Sequence, residues 1–148
     1  MPARVVSGGS TGTAGYKESG LYTEIQAGSY VFMDGAYGDL HLGFQNALFV
    51  LSQVISTKKD RIVLDAGLKS FGTDQGLPRL PGYDGAAVSL SEEHMALALP
   101  GHSFHIGSKL LLIPAHACTT VNLYDEIHLF RGNTEVGLAA VASRGKNQ

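Results

Sequence analysis

Beyond residue 46 the apolar residues of this chain come in short runs, each closed by glycine, proline or a charged turn, and that punctuation restricts what it can fold into. Residues 47–56 (ALFVLSQVIS) are apolar and become β-branched toward their end. Thr57, Lys58, Lys59 and Asp60 supply turn chemistry, and residues 61–65 (RIVLD) return, which predicts a hairpin. Residues 72–85, with Gly76, Pro78, Pro81 and Gly82 inside them, read as a long loop, and residues 86–99 as one or two strands around Ser91, Glu92, Glu93 and His94. Further strands are expected at 109–114, 126–131 and 136–141, with a tail that frays from Ser143. About six to eight strands with few helices imply a mainly β domain, an antiparallel barrel or roll.

The first 45 residues have a different texture. Val5 and Val6 run into Ser7-Gly8-Gly9-Ser10-Thr11-Gly12-Thr13, a short strand ending in a glycine-rich turn. Residues 21–26 alternate, Gly28 interrupts, and residues 29–33 resume a β-rich run that ends at Asp34. Residues 35–45, with Gly35, Gly38 and Gly43, read as a loop.

Composition excludes several classes. With 148 residues, 44% hydrophobic and 16% charged, the chain can bury a core as one ordinary domain and is not disordered in type. A net charge of −2, with no basic run longer than Lys58-Lys59, argues against nucleic acid as a partner. No apolar run is long enough to span a membrane, and the amino terminus lacks the apolar stretch of a signal peptide, so a soluble, cytoplasmic protein is expected. A single cysteine, Cys118, rules out an internal disulfide and leaves a buried inert thiol, a metal ligand or an intermolecular link.

Two stretches carry chemistry. The turn at residues 7–13 fails the phosphate-loop pattern, because Tyr16 separates Gly15 from Lys17, and its glycines are misplaced for the dinucleotide pattern. Its amides and hydroxyls can still hold a phosphate, particularly if a helix starts there, though a plain surface turn accounts for the same residues. The second stretch, Pro114-Ala115-His116-Ala117-Cys118, follows an apolar strand. If strand geometry continues, residues two apart share a face, and His116 and Cys118 can reach one cation with positions left open for water or substrate. A buried cysteine beside a satisfied histidine explains that spacing equally well. Weaker candidates are Glu92, Glu93 and His94, which also suit an exposed turn, and Lys69, a conceivable Schiff-base amine that as a lone lysine is usually solvated. His41, His102, His105 and His128 form no ligand spacing.

Taken together, VSGGSTGT at residues 6–13, TEIQAGSYVFMD at 23–34, LDAGLK at 64–69, SEEH at 91–94, IPAHACTTVNLYD at 113–125 and ASRG at 142–145 resemble the carboxy-terminal region of the D-serine dehydratase and D-threonine aldolase group. That group is of the alanine-racemase type among pyridoxal phosphate (PLP) enzymes. The stretches occur in the family's order and cover nearly the whole chain. The resemblance implies that residues 1–45 are the last strands of a PLP barrel and residues 46–148 its β-domain. It places Gly9, Ser10, Thr11, Gly12 and Thr13, with Gln26, Gly28, Ser29 and Tyr30 nearby, in the phosphate cradle, and makes His116 and Cys118 ligands of a divalent metal, expected to be zinc.

It further implies a lyase acting on small D-3-hydroxy amino acids, the metal polarising the β-hydroxyl. A dehydratase expels that hydroxyl; an aldolase breaks the Cα–Cβ bond. His-x-Cys favours the dehydratase branch, whereas the wording of residues 22–34 and 68–78 is closer to the aldolase branch. The family's barrel and its Schiff-base lysine have no counterpart before Met1, so no catalytic residue is assigned and the chain is expected to be inactive alone. A homodimer through residues 1–45, or pairing with a barrel polypeptide, is expected to cover the exposed edge. The reading from another class is a non-catalytic module that binds metal or docks onto a longer relative.

Overall fold

The computed structural model describes residues 4–15 and 20–146. Tyr16 and Lys17, used above against a phosphate loop, lie outside the described residues, as do residues 147 and 148 of the tail. Beyond residue 46 the chain is mainly β and antiparallel, as its punctuation predicts. Its sheet contains β3 (Val50–Lys58), β4 (Arg61–Leu64), β5 (Val88–Leu90), β6 (Met95–Ala98) and β7 (Lys109–Leu112) in the order β5-β6-β4-β3-β7. β3 and β4 form the expected hairpin across Lys59 and Asp60, with a bulge between Val54 and Ser56. β5 and β6 form a second hairpin around the turn at 91–94.

Alternation sets which face is inside. Val50, Ser52 and Val54 point inward from β3, Ile62 and Leu64 from β4, and Met95 and Leu97 from β6, while their neighbours face outward. All of these but Ser52, with Leu112, Phe71 and Leu80, belong to one apolar core. Each large aliphatic buried there contributes about 1.5–3 kcal/mol relative to exposure. A separate hairpin, β8 (Glu126–Arg131) with β9 (Thr134–Ala140), follows the sheet.

Two local packings explain sequence stretches that looked like chemistry. Gly67 lies so close to the 91–94 turn that an added Cβ would sit 2.4 Å from the carbonyl oxygen of Ser91 and 2.5 Å from the amide of His94. The amides of Leu68 and Lys69 bond the carbonyls of Ser91 and Glu92 there. LDAGLK and SEEH are therefore two halves of one contact. In the tail, Arg144 pairs with Asp125 and the amide of Gly145 reaches the side-chain oxygen of Asn122.

The first segment departs from its expected strands. β1 is Ser7–Gly8 and β2 is Glu24–Ile25, paired in parallel; Val6 leads into the pair, its carbonyl accepting the amide of Thr23, and Val5 lies outside it. Residues 29–33 are not a strand. Thr11 Oγ1 accepts the amide of Tyr30, the carbonyls of Gly28 and Ser29 accept those of Val31 and Phe32, and a 3-10 turn, Ser29–Val31, results. The loop expected after Asp34 opens with a helix, α1 (Gly35–Gly38), capped by the Asp34 side chain. Met33 and Asp34 are buried, and the amides of Gly35 and Ala36 bond the carbonyls of Pro114 and Ala115, so this segment is tied to the end of β7.

Candidate active site

β7 ends at Leu112, and the chain does not continue as a strand through His116. It turns at Pro114 into a short helix, α2 (Ala117–Val121), with His116 as its N-cap residue. The correction has a visible cause: the buried carboxylate of Asp34 accepts the amide of Ala117 at 2.8 Å through Oδ2 and that of Tyr37 at 2.9 Å through Oδ1. One side chain thus organises the first turns of both short helices. His116 is thus the N-cap and Cys118 the second residue of a helix, and the two are not neighbours on one face of a strand.

His116 and Cys118 both line a cavity of about 490 Å³. Its other walls include Ser10, Gly12 and Ser29 from the glycine-rich stretch, and Tyr37, Leu40 and Gln75. The two sequence signals, over a hundred residues apart, therefore meet in one hollow. Cys118 is exposed there rather than buried. Among the described residues no group of three or more His, Cys, Asp or Glu side chains is placed to hold a metal, so a cation here would have two such ligands.

Behind His116 stands a residue that the sequence did not single out. Asp74 Oδ2 lies 2.6 Å from His116 Nδ1, and Oδ1 accepts the hydroxyl of Thr119 at 2.7 Å. The Thr119 hydroxyl, and then the His116 ring, hold the Asp74 carboxyl below the usual carboxylate range. With Nδ1 engaged, Nε2 is the ring nitrogen left to the cavity. No local spacing could have revealed this pair, since 42 positions separate Asp74 from His116.

The remaining expected cradle residues shape the turn. Gly9 adopts φ +76°, a left-handed conformation natural to glycine, and Thr13 Oγ1 accepts the amide of Ser10 at 2.8 Å. A 3-10 turn, Thr11–Thr13, starts there, and Thr11 is buried. Gln26 bonds the Ser7 hydroxyl, Gly28 precedes the Ser29 turn, and the Tyr30 ring lies 5.7 Å from that of Phe44. Gly9, Thr11, Thr13, Gln26, Gly28 and Tyr30 are not among the residues that line the cavity. Lys69 is two-thirds exposed and paired with Glu93, and none of the described residues lining the cavity is a lysine.

Comparison with known proteins places the chain in a family. Residues 47–130 match the family model described as "Putative serine dehydratase domain". The chain belongs to this family. It is 40% identical to the D-threonine aldolase of Arthrobacter sp. over 95% of its own length and 39% of that protein's. It superimposes on the crystal structure of D-threonine aldolase from Filomicrobium marinum with a TM-score of 0.89 and 31% identity, covering 100% of this chain and 43% of that one. D-threo-3-hydroxyaspartate dehydratase from Delftia sp. gives a TM-score of 0.73 at 26% identity, over 95% of this chain and 45% of that chain. A D-threo-3-hydroxyaspartate dehydratase has also been solved as a histidine-to-alanine variant and, in a metal-free form, as a cysteine-to-alanine variant, the altered positions lying two apart. The chain thus spans about two fifths of the length of these relatives. Among the described residues no helix is long and apolar enough to cross a membrane.

Proposed function

We propose that this chain is the metal-carrying part of a PLP- and metal-dependent lyase acting on D-3-hydroxy amino acids, with residues 1–45 as barrel strands and phosphate turn and residues 46–148 as the β-domain. The observation that carries the reading is that one cavity is lined both by Ser10, Gly12 and Ser29 and by His116 and Cys118. The donor set suits a divalent ion such as zinc: an imidazole with Nδ1 engaged and an exposed thiol two residues on. Two hydroxyls beside a glycine turn suit a phosphate. When bound, PLP supplies an electron sink and the metal a Lewis acid next to the substrate hydroxyl.

In this reading each residue has a positional task. His116 and Cys118 hold the cation, and Ser10 and Ser29 take the phosphate of the cofactor. Asp34 fixes the turn that presents both metal ligands. The Schiff-base lysine is supplied outside the residues of this cavity, by a barrel segment or polypeptide that covers Val5, Leu21, Ile25, Tyr30 and Val31, all of them exposed. Loss of the β-hydroxyl, as in a dehydratase, is favoured by the His-x-Cys spacing, which equals the spacing of the altered histidine and cysteine in the D-threo-3-hydroxyaspartate dehydratase variants. Cleavage of the Cα–Cβ bond is the second reading, favoured by the 40% identity to a D-threonine aldolase.

Cobalt substitution tests this proposal. Added Co²⁺ is expected to give a thiolate-to-cobalt charge-transfer band that Cys118→Ala abolishes. Turnover of D-serine or D-threonine is expected only when a lysine-bearing barrel of the family is supplied. No band in the wild-type chain, or a band retained by Cys118→Ala, overturns the assignment.

A further inference from the structure

We propose that Asp74 is the positioning residue of this site: its carboxylate holds the His116 imidazole with the proton on Nδ1, so that Nε2 is presented as a ligand. The inference rests on the metal reading above and adds a residue to it. Both carboxylate oxygens are committed, Oδ2 to His116 at 2.6 Å and Oδ1 to Thr119 at 2.7 Å, so the group cannot rotate without losing a partner. Because ionised Asp74 can only accept, the shared proton belongs to Nδ1, and the lone pair of the neutral ring is left on Nε2.

The loop that carries Asp74 is fastened to the same helix that carries Cys118. The amide of Gly72 donates to the buried Thr120 hydroxyl at 3.0 Å, and the Tyr124 hydroxyl donates to the carbonyl of Ser70 at 3.1 Å. Gly72 approaches so closely that an added Cβ would fall 1.9 Å from Thr119 Oγ1. A loop held only by a casual surface ion pair would not need this approach. Gln75, the next residue after Asp74, lines the cavity, so the loop serves the site from behind and from within.

The test uses Zn²⁺ alone, with its dissociation constant measured by chelator competition on the full chain and on Asp74→Ala and Asp74→Asn. Binding is expected to weaken roughly 10- to 100-fold in both variants, the usual effect of losing such an outer partner. In the metal-free wild type, ¹⁵N spectra are expected to show the His116 ring protonated at Nδ1, and Asp74→Ala is expected to shift it to a tautomer mixture, a signature that a merely structural role would not move. Should Asp74→Ala fold poorly, Thr119→Val, which frees only Oδ1, is expected to give a smaller loss of affinity in the same direction. Wild-type affinity and an unchanged ring spectrum in the Asp74 variants overturn the role of Asp74 alone. A wild-type chain that takes up no Zn²⁺ overturns the metal reading itself.

Discussion

The carboxylate of Asp34 accepts the backbone N–H of Ala117, 83 residues further along the chain. That bond, with the second one from Tyr37, is made by a residue only 1% exposed. Asp34→Ala would strip two amides of their acceptor in a place water does not easily reach. We expect a loss of about 1–3 kcal/mol in stability, read as a lower urea midpoint, and weaker metal binding because His116 is no longer held at the start of α2. Asp34→Asn, which keeps one acceptor oxygen, should lose less.

Gly67→Ala should destabilise the fold without touching the cavity. Its Cβ would meet three backbone atoms of the 91–94 turn at 2.4–2.6 Å, and backbone cannot give way as a flexible side chain can. Overpacking of this kind costs about 1–3 kcal/mol. Thermal unfolding should show the loss, with metal stoichiometry unchanged in the folded protein; equal loss of metal would mean that the two regions are coupled.

Much of the β-domain was legible because its signals are local. The β3–β4 hairpin announces itself by a β-branched run, a Lys-Lys-Asp turn and a returning run, and the alternation of Val50, Ser52 and Val54 fixes the inner face. The first segment was harder. Residues 29–33 have strand propensity, yet Thr11 captures the Tyr30 amide and a turn forms, a tertiary bond that no window of sequence contains. His116 and Cys118 were legible as a spacing, but not the helical turn that carries them, because that turn depends on Asp34. Asp74 was invisible for the same reason. The single glycine at 72 is its one trace, and only the structure shows which side chain that glycine makes room for.

Asp65 makes stability pH-dependent. Burial pushes its carboxyl up, but the Gln53 amide and the Ser52 hydroxyl outweigh that and leave it below the usual carboxylate value. A pKa lower in the folded than in the unfolded state gives a contribution that is full above about pH 4, the unfolded carboxylate value, and fades as the pH falls through the folded one. Urea midpoints at pH 7 and pH 3 should therefore differ less for Asp65→Asn than for wild type. An equal pH difference in the two proteins would remove Asp65 from the account.

The chain by itself should not turn over D-serine or D-threonine, with or without PLP and Zn²⁺. Lys69, the amine nearest to suspicion, is paired with Glu93 on the surface and does not line the cavity. Borohydride reduction with PLP, followed by peptide mapping, should leave Lys69 unmodified beyond the background of other surface lysines. A stoichiometric adduct at Lys69 accompanied by turnover would contradict this expectation.

Metal content of the purified chain, measured by elemental mass spectrometry after equilibration with Zn²⁺ and removal of the excess, tests the central claim most directly. The wild type is expected to retain about one zinc per chain, and His116→Ala and Cys118→Ala, folded by circular dichroism, are each expected to retain almost none. Retention at the wild-type level in both variants would contradict the assignment and leave the cavity between Ser10 and Cys118 without its metal ligands.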